Sequence, residues 1–173
     1  MNPTGSDFQG PLVAREAARA QPRFPGVSRL EKYPSGVLRS LFLSEETIVD
    51  TPLGPLTPQF RYDEPRKKYA PALKFYPSGA LKCLRLENIT PVESPAGVLP
   101  AEELVFYESG ALKRLFPVNG KLSGYWSEKD EKALNSRINL TLPKFGDFSL
   151  YLSGLSFHEG GEIKSLTLWP NED

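Results

Sequence analysis

The sequence predicts an all-β protein: a meandering antiparallel sheet of repeated β-hairpins, with at most one or two short helices. Three observations carry that expectation. Four segments repeat one pattern, centred on Gly36, Gly79, Gly110 and Gly161. From Ser28 onward the apolar residues come in short runs broken by Pro-Ser-Gly, Asn-Gly and Pro-x-Gly, which punctuate hairpins rather than helices. Seventeen prolines also work against long helices, because each removes an amide donor and clashes with the preceding turn.

The first stretch, residues 1–28, is rich in Pro, Gly, Ala and polar residues. It reads as a flexible N-terminal arm with one short helix around 11–20, where Pro11 suits a first turn. Residues 29–173 read as a single hairpin-repeat domain. At 173 residues the chain suits one folded unit better than two.

The repeated segments are LEKYPSGVLRSLFL from Leu30, LKFYPSGALKCLRL from Leu73, LVFYESGALKRLFP from Leu104 and LSFHEGGEIKSLTL from Leu155. Counted from the glycine, leucine recurs six residues before it, at Leu30, Leu73, Leu104 and Leu155. Two residues after it stands Leu38, Leu81, Leu112 or Ile163, and five after it Leu41, Leu84, Leu115 or Leu166. Such self-similarity marks a repeat architecture. A second pattern alternates with the first: VDTPLGPLTP around Gly54 and VESPAGVLPA around Gly97, each glycine lying 18 residues after one of the first kind. LTLPKFGDFSLYL around Gly146 reads as a degraded third copy. Asn119-Gly120 is a two-residue hairpin signal, because both residues tolerate positive φ. Ser127 and Asp130 open a short helix with capping-box spacing. The stretch 62–71, YDEPRKKYAP, lengthens the gap between Gly54 and Gly79 and reads as an exposed inserted loop.

In each copy of the first pattern a strand enters through Leu and an aromatic, turns at the glycine and leaves through Leu/Ile-Lys/Arg-x-Leu. Glycine supplies the positive φ that the turn or its bulge requires. The two apolar columns after it stand three apart, so a regular strand would point them to opposite faces. Either a bulge restores the register or both faces are covered, and a bulge beside the turn is the expectation.

These hairpins resemble the bacterial variant of the membrane occupation and recognition nexus repeat. The likeness rests on Tyr33-Pro34-Ser35-Gly36-Val37-Leu38-Arg39, Tyr76-Pro77-Ser78-Gly79-Ala80-Leu81-Lys82 and Tyr107-Glu108-Ser109-Gly110-Ala111-Leu112-Lys113. A poorer copy is His158-Glu159-Gly160-Gly161-Glu162-Ile163-Lys164. The resemblance covers about a third of the chain and implies stacked hairpins that mostly serve as scaffolds or binding surfaces.

The candidate chemistry is sparse. Twenty-one basic and 21 acidic residues cancel, which argues against nucleic acid as a partner. His158, the single histidine, occupies the column of Tyr33, Tyr76 and Tyr107 and reads as a ring in a structural slot. Cys83, the single cysteine, shares its column with Ser40, Arg114 and Ser165, and no activating partner is visible. One His and one Cys exclude zinc sites made of several such ligands within one chain. There is no Gly-rich phosphate loop or nucleophile elbow. No cofactor and no catalysis are expected. Glu45-Glu46 and Glu102-Glu103 read as solvated loop charges.

One column stands apart: the third residue after each glycine is Arg39, Lys82, Lys113 or Lys164. The simpler reading is that their stems cover neighbouring rings while the charged ends stay wet. The functional reading is a basic stripe, joined by Arg66-Lys67-Lys68, that meets an acidic partner or lipid headgroups. Tyr125 and Trp126 fall outside the repeated columns and are further binding candidates. A protein-binding scaffold is therefore the first expectation, peripheral association with an anionic membrane the second, and an enzyme whose site is hidden from sequence the third. The N-terminus lacks a basic and apolar signal, so a cytoplasmic location is expected and the sequons at Asn88 and Asn139 are read as chance.

Overall fold

The computed structural model describes residues 24–170. The helix expected around 11–20, and the expected arm as far as residue 23, lie outside the described residues. Phe24 and Val27 already pack against the core, so the folded body begins before residue 29.

The described residues form twelve strands and one helix. Eight strands make one antiparallel sheet in the order β1-β2-β5-β6-β7-β8-β11-β12. It consists of four long hairpins: β1 (Val27–Lys32) with β2 (Leu38–Leu43), β5 (Leu73–Phe75) with β6 (Leu81–Ser94), β7 (Gly97–Phe106) with β8 (Leu112–Phe116), and β11 (Leu152–Phe157) with β12 (Ile163–Leu168). Each turns at one of the repeated glycines, with φ between 84° at Gly36 and 98° at Gly161. The turns are made alike. Gly79 N–H donates to the Tyr76 carbonyl at 2.9 Å and Tyr76 N–H to the Ala80 carbonyl at 2.8 Å, and the other three copies repeat both bonds.

The expected bulge is present in all four hairpins. Glu31 pairs with Ser40 and Lys32 with Leu38, which leaves Arg39 as the extra residue. Lys82, Lys113 and Lys164 are skipped in the same way. The bulge brings both leucine columns back to one face. Leu30, Leu41, Leu73, Leu84, Leu104, Leu115, Leu155 and Leu166 are then cross-strand neighbours in a single row across all eight strands. The six inner members are at most 2% exposed, and each contributes about 1.5–3 kcal/mol of apolar burial.

Shorter hairpins cover this leucine face. They are β3 (Val49–Thr51) with β4 (Gly54–Leu56), the far ends of β6 and β7 around Gly97, and β9 (Ile138–Leu142) with β10 (Gly146–Leu150). These are the three copies of the second sequence pattern. Leu56, Val92, Leu99, Ile138 and Leu140 join the leucine row in one hydrophobic cluster. Helix α1 (Glu128–Ala133) carries the expected capping box between Ser127 and Asp130.

Three expectations are corrected. Asn119-Gly120 does not turn a hairpin; Gly120 has no positive φ, and its N–H instead binds a buried carboxylate of α1. The stretch 62–71 is no exposed loop, since Arg66 and Lys67 fold inward. Glu102 and Glu103 lie within β7, and Glu102 is buried. In each case a charged or polar partner remote in sequence outweighs the local preference for solvent.

Candidate functional site

Strand alternation that turns the leucines to one face turns a second row to the other, where Ser40 and Cys83 are buried as well. Glu31, Ser40, Lys74, Cys83, Val105, Arg114, Ser156 and Ser165 are neighbours across the eight strands. Beside this row, at the turn end of the sheet, stand the four bulge cations. One cation per hairpin at about 4.8 Å per strand places them about 10 Å apart. Arg39 lies over the ring of Tyr33 at 5.8 Å, Lys82 over Tyr76 at 5.3 Å and Lys113 over Tyr107 at 5.0 Å. Among the described residues none of Arg39, Lys82, Lys113 and Lys164 forms a salt bridge, and all four are exposed. In the first three copies the charged end itself lies over the ring while the residue stays exposed.

The rings have a second task. Tyr33 Oη donates to the Phe75 carbonyl at 2.9 Å, Tyr76 Oη to that of Phe106 at 2.9 Å and Tyr107 Oη to that of Phe157 at 3.0 Å. Each tyrosine therefore ties its hairpin to the next. His158 occupies the same column in the fourth long hairpin, after which no further strand of the sheet stands among the described residues.

Between the first two hairpins the outer face forms an open groove of about 450 Å³. Its walls carry Arg29, Arg39, Lys74 and Lys82 against one acid, Glu31, with the rings of Tyr33 and Phe42 alongside. Arg29 binds Glu31 at 3.2 Å, and Lys74 forms no salt bridge among the described residues. Sequence inspection missed Arg29, Lys74 and Phe42, although strand alternation from Tyr33 and Tyr76 would have placed them on this face.

The basic triplet does not join the stripe. Arg66 grips Glu102 through both terminal nitrogens and reaches Glu131 of α1 at 2.9 Å and 3.0 Å. Burial works against its charge, but the bonds to Glu102 and Glu131 win and raise its pKa above the ordinary arginine value. Lys67 donates to the Glu87 carbonyl and lies 3.6 Å from its carboxylate. Lys68 donates to Asn119, and burial lowers its pKa. Glu87 is buried too, which by itself would raise its pKa; the N–H groups of Phe60 and Arg61 and the Arg61 side chain overcome this and hold it below the usual carboxylate range. Arg85 Nε sits 2.9 Å from Glu103, an ion pair without hydrogen-bond alignment. Together these groups fasten residues 57–71, the Asn119 loop and α1 to β6 and β7. No sequence signal pairs Arg66 with glutamates 36 and 65 positions away.

The remaining candidates separate. Trp126 is half-buried and donates through Nε1 to Glu131 at 2.6 Å, so it belongs to the same network. Tyr125 is 91% exposed. Cys83 is buried with its thiol 3.7 Å from Glu103, and burial, followed by that carboxylate, pushes its pKa up to about 12. A thiol so held is protonated at neutral pH and is a poor nucleophile. Among the described residues no three His, Cys, Asp or Glu are grouped to hold a metal ion, and no helix is long and apolar enough to cross a membrane. Comparison of the chain with family models, curated proteins and solved structures finds no match.

Proposed function

We propose that the chain is a non-catalytic binding module whose outer sheet face takes an acidic segment of another protein. The observation that carries this reading is the alignment of Arg39, Lys82, Lys113 and Lys164, one in each bulge, exposed and outside any salt bridge among the described residues. In three copies the charged end lies over a ring, a contact worth little at an exposed site, which leaves the cation open to a carboxylate. The groove walled by Arg29, Arg39, Lys74 and Lys82 adds rings on which a peptide can lie. An acidic chain in the polyproline II conformation rises about 3.1 Å per residue with three residues per turn, so carboxylates three residues apart share one face and would meet cations about 10 Å apart. Large exposed apolar residues such as Tyr125, Phe145 and Val98 are scattered over turns and tips, so the repeated surface selects by charge. The likeness of the motif to scaffold-forming hairpin repeats points the same way.

Titration with fluorescein-labelled peptides carrying glutamate at every third position tests the reading. Binding should weaken with salt and fall at least about tenfold in the triple variant Arg39→Ala, Lys82→Ala, Lys113→Ala. Equal affinity for the variant would refute it. Salt-sensitive sedimentation with anionic vesicles, without peptide binding, would transfer the same surface to lipid.

A further inference from the structure

From Arg66 to Tyr69 the inserted stretch reverses the usual preference of side chains for solvent or core. Its charges turn inward: the side chains of Arg66 and Lys67 are 13% and 7% exposed. Its ring turns outward, with Tyr69 71% exposed. A single exposed ring is ordinary on a protein surface, but Tyr69 belongs to a cluster. Its centroid lies 5.1 Å from that of Phe42 and 5.5 Å from that of Tyr62, and Phe42 and Tyr62 are 5.7 Å apart. Phe42 is buried at the base, and Tyr62 is held by its hydroxyl, which donates to the Gln59 carbonyl at 3.2 Å. Two anchored rings thus support Tyr69 as an aromatic shelf.

The shelf borders the groove between the first two long hairpins. Phe42 belongs to both, and Pro71, two residues after Tyr69, lines the groove as well. Arg29 faces Phe42 across β1 and β2 and lies over its ring at 5.7 Å. Two residues along β2, Ser40 pairs with Lys74 of β5, and Arg39 stands in the bulge beside it. At about 3.3 Å per residue the base of the shelf is roughly 7 Å from the Ser40–Lys74 pair, a distance that one aromatic side chain spans.

A line of cations repeated about every 10 Å holds an acidic chain without fixing its register, because a shift by one hairpin restores every contact. The inserted stretch occurs once, between Gly54 and Gly79, so its ring breaks that repeat. We infer that the acidic segment carries an aromatic side chain that lies against Tyr69 and sets the register, while its neighbouring carboxylates meet Arg39, Lys74 and Lys82. The inference rests on the reading that the outer face takes an acidic segment. Charge complementarity names the occupant: Arg29, Arg39, Lys74 and Lys82 share the groove with one acid, Glu31. An uncharged aromatic ligand would leave those cations unmet, and a purely acidic one would leave Tyr69 in water. An aromatic anchor within a charged rim is the usual arrangement of a binding hot spot.

Isothermal titration calorimetry of the full chain with unlabelled peptides tests this. One peptide carries glutamate at every third position with alanine between, and a second has tryptophan in place of one central alanine. The tryptophan peptide should bind at least about fivefold more tightly, and that ratio should hold as salt rises while both affinities fall. Tyr69→Ala should remove the gain and leave the glutamate-only peptide within about twofold of its parent affinity. Tyr69→Phe should keep the gain, since the ring makes the contact. Equal affinity of the two peptides would overturn the inference, as would a gain that survives in Tyr69→Ala or a loss of the glutamate-only peptide in that variant. Salt-sensitive binding of the glutamate-only peptide with no gain from tryptophan strikes the ring contact alone. Failure of both peptides to bind removes the acidic-segment reading together with it.

Discussion

The hydroxyl of Tyr76 donates to the main-chain carbonyl of Phe106, 30 residues later, at 2.9 Å. Phe106 directly precedes Tyr107, whose hydroxyl makes the same bond to Phe157. The ties therefore run from hairpin to hairpin through equivalent positions and add a side-chain link to the strand pairing between neighbours. Tyr76→Phe keeps the ring under Lys82 and removes the tie. Its expected cost is about 1 kcal/mol, read as a lower urea midpoint. His158→Tyr, in the column's last copy, should change stability by less than about 0.5 kcal/mol.

Gly79 has φ of 90°, and no atom of the described residues lies within 4 Å of a built Cβ. Gly79→Ala therefore isolates backbone strain from steric contact, and about 1–3 kcal/mol of destabilisation is expected. Gly110→Ala adds an ordinary van der Waals contact with Pro52 at 3.4 Å and should cost about as much. Thermal unfolding of the two variants side by side checks both.

Removing Arg66 would leave Glu102 and Glu131 buried without their shared cation. Arg66→Met should lose about 3–5 kcal/mol, and adding Glu102→Gln and Glu131→Gln should restore part of it. Arg66→Lys should not rescue, since an ammonium cannot span two carboxylates as the planar guanidinium does. Chemical denaturation followed by circular dichroism measures each step.

Glu87 is held below the ordinary carboxylate pKa by the N–H groups of Phe60 and Arg61 and by the Arg61 side chain, against its burial. Between its folded value and the unfolded value of about 4.3, the unfolded chain binds more protons, so stability rises with pH there. The contribution is complete above about pH 5 and disappears as pH falls through the folded value. Glu87→Gln should be less stable than the parent at pH 7, and the difference should shrink as pH falls below about 4.3.

The Cys83 thiol, with its pKa pushed up to about 12 by burial and by Glu103, should resist modification by a disulfide reagent at pH 8. Unfolding in denaturant returns it to about 8.5 and should release one equivalent of reaction at once. Rapid modification of the native chain would contradict the burial.

The repeated columns were legible in the sequence because hairpin formation is local: glycine at positive φ, a bulge one turn away and leucine at fixed offsets are settled within about a dozen residues. By themselves they determined four long hairpins, their bulges, the three short ones and the capped helix. The tertiary structure alone decided which columns become neighbours. It joined the leucines before and after each glycine into one row of eight, and it set Tyr76 against a carbonyl 30 residues away. It also reversed the reading of Arg66, Lys67 and Glu102, whose charges suggest solvent when only near neighbours are considered. A buried charge needs its partner more than it needs water, and in this chain those partners are supplied from elements far apart in sequence, where no local pattern can announce them.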